Sequence, residues 1–69
     1  MRNKIYKKLK QAQEQCFEAN ETKLFDLCEY HFDLVYNEEL NEEDLEQLMK
    51  FAKDVYKIAT LRKNLNPLV

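Results

Sequence analysis

The chain contains no glycine, no tryptophan and a single proline, Pro67. Each shortage removes a class of structure. Tight hairpins lean on glycine or Asn-Gly pairs to reach positive φ, so a multi-stranded sheet has no turn chemistry here. Without glycine there is no phosphate-cradling loop and no strained turn to present a nucleophile. No long apolar run is present either, which argues against a membrane-spanning segment. The opening MRNKIYKKLKQAQEQ is basic and lacks an apolar stretch, so no secretory signal is expected and a cytoplasmic setting is the default. Two cysteines in such a setting are expected to be free thiols.

What remains is 35% charged and 45% hydrophobic, in 69 residues that allow one domain. That balance suits amphipathic helices. Ile5, Leu9, Ala12 and Cys16 recur every three or four residues, flanked by Tyr6 and Phe17, and predict a helix over about 2–19. Asn20 or Thr22 can cap a second helix over about 22–37. This one is rich in apolar residues, with Asp26, Glu29, Asp33 and Asn37 as its narrow wet stripe.

The third start is sharper. In LNEEDL, Asn41 is a good N-cap and Asp44 stands where a capping box places its acid. Leu40 and Leu45 occupy the positions of a hydrophobic staple, and Glu42, Glu43 and Asp44 suit the helix dipole. The helix is predicted over about 42–63, ended by Asn64 or Asn66 and stopped by Pro67. The expected fold is all-α: a small antiparallel bundle of three helices.

FDLCEYHFDLVY, residues 25–36, concentrates groups that do chemistry elsewhere. Cys28 and His31 share a helix face and could form half of a zinc site or a thiol–imidazole pair. A closed zinc site needs four ligands, and only Cys16 offers a third soft one. Thiol catalysis needs an orienting group and oxyanion donors, and nothing in the chain supplies them. The stretch is therefore read as structural. No catalytic residue, metal ligand or cofactor is assigned. Tyr6, Tyr30, Tyr36 and Tyr56 are expected at the core edge or in an interface, apolar ring inward and hydroxyl in water. Cys16 and Cys28 come to similar heights in a helical hairpin, where a disulfide is conceivable but packed free thiols are expected.

A net charge of −2 hides strong segregation: +5 over residues 1–13, −11 over 14–46 and +4 over 47–69. In an up-down-up bundle the basic start would lie near the acidic loop at 38–46. The basic end of the third helix would lie near Glu14, Glu18 and Glu21. Both ends would then be neutralised, which weakens a nucleic-acid reading based on Lys4, Lys7, Lys8 and Lys10.

Two surfaces are expected to matter. Glu38, Glu39, Glu42, Glu43 and Glu46 form an acidic candidate site for a partner protein. The third helix carries more apolar residues than one neighbour can cover, so Phe51, Val55, Ile58, Leu61 and Leu65 are candidates for self-association, as a homodimer. A core this small also gains from association. The functional expectation is a non-enzymatic interaction module, a regulator or inhibitor binding another, possibly basic, protein. The alternatives are a nucleic-acid-binding accessory protein or an acidic DNA mimic. In composition the chain resembles the small accessory proteins of phages and mobile elements, a likeness of style rather than of motif.

Overall fold

The computed structural model describes residues 1–65, which form three helices: α1 (Arg2–Glu18), α2 (Thr22–Val35) and α3 (Glu42–Leu65). No strand occurs among the described residues. The body is a rod with principal extents of 43 × 16 × 15 Å.

The central helix is α1. It packs most extensively against α3, next against α2, while α2 and α3 touch each other sparingly. Its stripe of Ile5, Leu9, Ala12 and Cys16 is wholly removed from solvent. Cys28 and Val35 of α2 meet this stripe in a common core, as do Leu45, Leu48, Ala52, Val55 and Ala59 of α3. Ala12, Ala52 and Ala59 are fully buried; small side chains at a helix contact let the axes draw close.

The ends of the helices explain where sequence and structure differ. α1 stops at Glu18 because Asn20 adopts the left-handed conformation (φ 59°). The Asn20 N–H then donates to the Phe17 carbonyl and the Glu21 N–H to the Cys16 carbonyl, at 3.2 and 2.8 Å. This is a Schellman ending with asparagine in the place glycine usually takes. Asn20 thus closes α1 rather than opening α2, and Thr22 is already the first residue of α2. The N-cap position belongs to Glu21, whose side chain makes no capping bond.

α2 ends at Val35, two residues short of the expected Asn37. The Asn37 N–H bonds back to the Leu34 carbonyl, and its side-chain Oδ1 accepts from the Glu39 N–H at 2.9 Å. Asparagine offers the backbone a turn in place of another helical bond. At the start of α3 the capping box forms as read: the Asp44 N–H donates to Asn41 Oδ1 at 2.8 Å, and the Asn41 N–H to Asp44 Oδ2 at 3.3 Å. Leu40, at the staple position, is packed against the core cluster that holds Leu45. α3 continues through Asn64 to Leu65, so Asn64 does not end it; Asn66 and Pro67 lie outside the described residues.

Candidate interaction surfaces

In the stretch that gathers Cys28 and His31, the two side chains turn to different neighbours. Cys28 is fully buried against α1, in the core cluster that holds Cys16. Both cysteines are free. Burial, aided by the neighbouring Cys16, pushes the Cys28 thiol up to about 12, and burial also raises Cys16. A thiol so placed is a poor nucleophile at neutral pH.

His31 faces α3 instead. Its ring stacks on Phe51, with centroids 4.0 Å apart and planes 12° from parallel. His31 Nδ1 lies 2.6 Å from the Leu27 carbonyl. A carbonyl only accepts, so Nδ1 carries the proton. Among the described residues no group of three or more His, Cys, Asp or Glu side chains converges on a point where an ion could sit.

The tyrosines divide between seams. Tyr6 sits 5.1 Å from Phe32 and 6.0 Å from Tyr36, and the Tyr36 hydroxyl donates to Asn3 Oδ1 at 3.1 Å, all along the α1–α2 edge. Lys10 covers Phe32 and Tyr6 from the same side. Lys8 lies 4.3 Å from the centre of the Tyr56 ring, across the α1–α3 seam. Tyr30 is exposed, edge-on to His31. Gln13 had no place in the sequence reading, yet it is the buried polar link between α1 and α2. Its Nε2 donates to Glu29 Oε2 at 2.7 Å and to the Phe25 carbonyl at 3.4 Å.

Among the described residues the charges neutralise at one end only. Arg62 pairs with Glu21 and Lys63 with Glu18, each at 2.8 Å, as the charge layout predicts. The other end departs from expectation. Arg2 reaches the acidic loop but binds carbonyl oxygens: that of Val35, that of Asn37 at 2.9 Å and that of Leu40 at 3.3 Å. The last carbonyls of a helix have no partner within it. A forked guanidinium serves several at once, so its charge goes to the backbone rather than to the glutamates. Glu38, Glu39, Glu42, Glu43 and Glu46 are all exposed, and among the described residues none forms an ion pair. Glu42 and Glu43 do gain from the N-terminal end of α3.

The apolar candidates on α3 separate as well. Val55 is 4% exposed and belongs to the core. Phe51 is half-buried under His31, whereas Ile58, Leu61 and Leu65 are 42%, 58% and 69% exposed. Leu27 of α2, one turn before His31, is 45% exposed. The reluctance of α2 and α3 to touch leaves a wedge between them, with a cavity of about 320 Å³ bounded by His31, Leu34, Leu40, Asp44, Gln47, Leu48 and Phe51. Among the described residues no helix is long and apolar enough to cross a membrane. Comparison with protein-family models, curated proteins and solved structures finds no match for this chain.

Proposed function

We propose that the chain is a non-enzymatic interaction module, a regulator or inhibitor. In this reading it works as a homodimer of up-down-up, antiparallel three-helix bundles. Its acidic end docks onto a basic surface of a partner protein. The observation that carries the reading is the unequal treatment of like charges. Glu18 and Glu21 have cationic partners, whereas Glu38, Glu39, Glu42, Glu43 and Glu46 stand exposed without one among the described residues. Crowded carboxylates repel each other, and a basic partner relieves that repulsion while drawing the pair together over distance. A partner that otherwise binds nucleic acid fits this chemistry, and an acidic mimic of DNA is the alternative form of the same reading. The exposed Ile58, Leu61 and Leu65 support self-association.

The test is capture from a nuclease-treated host extract, comparing the unaltered chain with a variant carrying Glu38, Glu39, Glu42 and Glu43→Lys. The variant is expected to keep its helical spectrum and lose the partner, and high salt is expected to release the partner from the unaltered chain. One observation favours a second reading: Lys4 and Lys7 are exposed and have no carboxylate partner among the described residues. Tight binding of labelled DNA or RNA by the chain alone, abolished by changing Lys4, Lys7, Lys8 and Lys10, would establish the nucleic-acid reading in its place.

A further inference from the structure

The rod carries an apolar ridge and a largely apolar wedge with Asp44 and Gln47 on its α3 side, and they lie at opposite halves of α3. The ridge is Ile58, Leu61 and Leu65, in the C-terminal half. The wedge opens beside the N-terminal half, where Phe51, Leu48 and Gln47 face Leu34 and His31 of α2 and Leu40 of the loop. A molecule with a knob at one place and a matching hole at another is self-complementary under a two-fold axis, because each copy then supplies both. We infer that a second copy of this chain fills the wedge. Its α3 runs antiparallel to the first, and its Leu61 and Ile58 enter between α2 and α3. This rests on the self-association reading above and adds to it a seat on α2 and a direction.

Charge decides the direction. α3 begins acidic, with Glu42, Glu43 and Glu46, and becomes basic towards Lys57 and Lys63. In a parallel pair each of these charges meets its own kind. In an antiparallel pair centred near residue 52, Lys50 lies opposite Asp54 of the second copy, and Lys57 opposite its Glu46. The four side chains are exposed and make no ion pair within the chain among the described residues. The same alignment brings Leu61 alongside residues 43–47 of the other copy, at the mouth of the wedge. Opposite charges at such a rim fix register and orientation more than they add affinity, and the apolar knob supplies the contact that excludes water. In this arrangement Glu46 serves the dimer rim, and Glu38 and Glu39, which lie before α3, stay free for the partner protein.

Sedimentation equilibrium of the full chain tests the arrangement. The unaltered protein is expected to be a dimer at high micromolar concentration. Leu34 forms the α2 wall of the wedge and packs at the edge of the core cluster, and Leu34→Asp places a charge there. It is expected to weaken the dimer by about tenfold or more, equivalent to at least about 1.4 kcal/mol, with the helical spectrum kept. Lys50→Asp is expected to weaken it several-fold, and Lys50→Asp combined with Asp54→Lys to restore it. An unaltered chain that stays monomeric overturns both this inference and the self-association reading. A dimer that ignores Leu34→Asp but is lost on Leu61→Asp overturns the inference alone. Should Leu34→Asp fail to fold, the charge exchange decides: a double variant no tighter than Lys50→Asp refutes the antiparallel pairing.

Discussion

The two ends of the rod receive the same kind of residue and treat it differently. At one end Glu18 and Glu21 meet Lys63 and Arg62. At the other, five glutamates crowd the loop and the start of α3. The nearby cation, Arg2, is held by the carbonyls of Val35, Asn37 and Leu40. Both ends began with a similar supply of charge, because basic residues dominate the first and last parts of the chain and acidic residues the middle. The difference lies in what the backbone requires. α1 finishes with its carbonyls satisfied by the turn at Asn20, so the side chains around it are left to pair with one another. α2 finishes in a loose turn with carbonyls in want of donors, and an arginine is drawn in to serve them. Proximity in space therefore does not make a salt bridge; an unsatisfied backbone group can win the cation first.

The largest expected effect comes from removing that cation. Arg2→Ala removes the donor from the Val35 and Leu40 carbonyls, while the Asn37 carbonyl keeps its bond from the Leu40 N–H, and should cost about 1–3 kcal/mol. In a domain of this size each kcal/mol is roughly 4–8 °C in Tm, and the loss should persist in high salt because backbone acceptors, not carboxylates, are involved. A Tm unchanged by Arg2→Ala would abolish the contrast drawn between the ends. Next comes the capping box: Asn41→Ala should cost about 1 kcal/mol, measured by urea denaturation, and should loosen the acidic segment without touching the opposite end. Smaller still is Lys63→Ala. Its ion pair with Glu18 is partly exposed on both sides, and such pairs give about 0–1 kcal/mol. That loss should vanish in high salt, which separates it from the Arg2 effect. Smallest is Glu38→Gln with Glu39→Gln, expected within about 0.5 kcal/mol of the unaltered chain because neither makes a feature on which stability rests. A marked gain in stability from that pair would show that repulsion at this end costs more than the geometry implies.

The contacts legible in the sequence are those made within a few residues or along one helix face. The buried stripe from Ile5 to Cys16 follows from its period, and the Asn41–Asp44 box from a spacing of three. The pairing of Lys63 and Arg62 with Glu18 and Glu21 followed from charge blocks alone, since long stretches of opposite sign survive errors in register. What escaped needs several segments to converge. The Arg2 clamp joins residues 33 to 38 positions apart. Gln13 reads as one more polar residue until Glu29 and the Phe25 carbonyl arrive beside it. Asn20 was ambiguous because asparagine serves both as an N-cap and at positive φ; only the bonds to Phe17 and Cys16 decide between them. For the acidic candidates the sequence supplied the cluster, and the structure adds that Asp44 is engaged in the cap while the five glutamates are free of ion pairs among the described residues. For the apolar candidates it supplied the surplus, whereas the division between Val55 inside and Ile58, Leu61 and Leu65 outside depends on where α1 lies.

The preference of α1 for α3 over α2 has a consequence for the order of events during synthesis. A bundle held mainly by sequential hairpins can consolidate its first two helices while the third is still being made. Here the dominant contact joins the first helix to the last, so closing it spans the whole intervening chain, and non-local closure slows folding relative to local closure. As the chain emerges, Ile5, Leu9 and Ala12 have only α2 to lean on until α3 is complete. The nascent protein thus passes through an interval in which the stripe that ends fully buried is half covered, the condition under which partly made chains associate wrongly or engage chaperones.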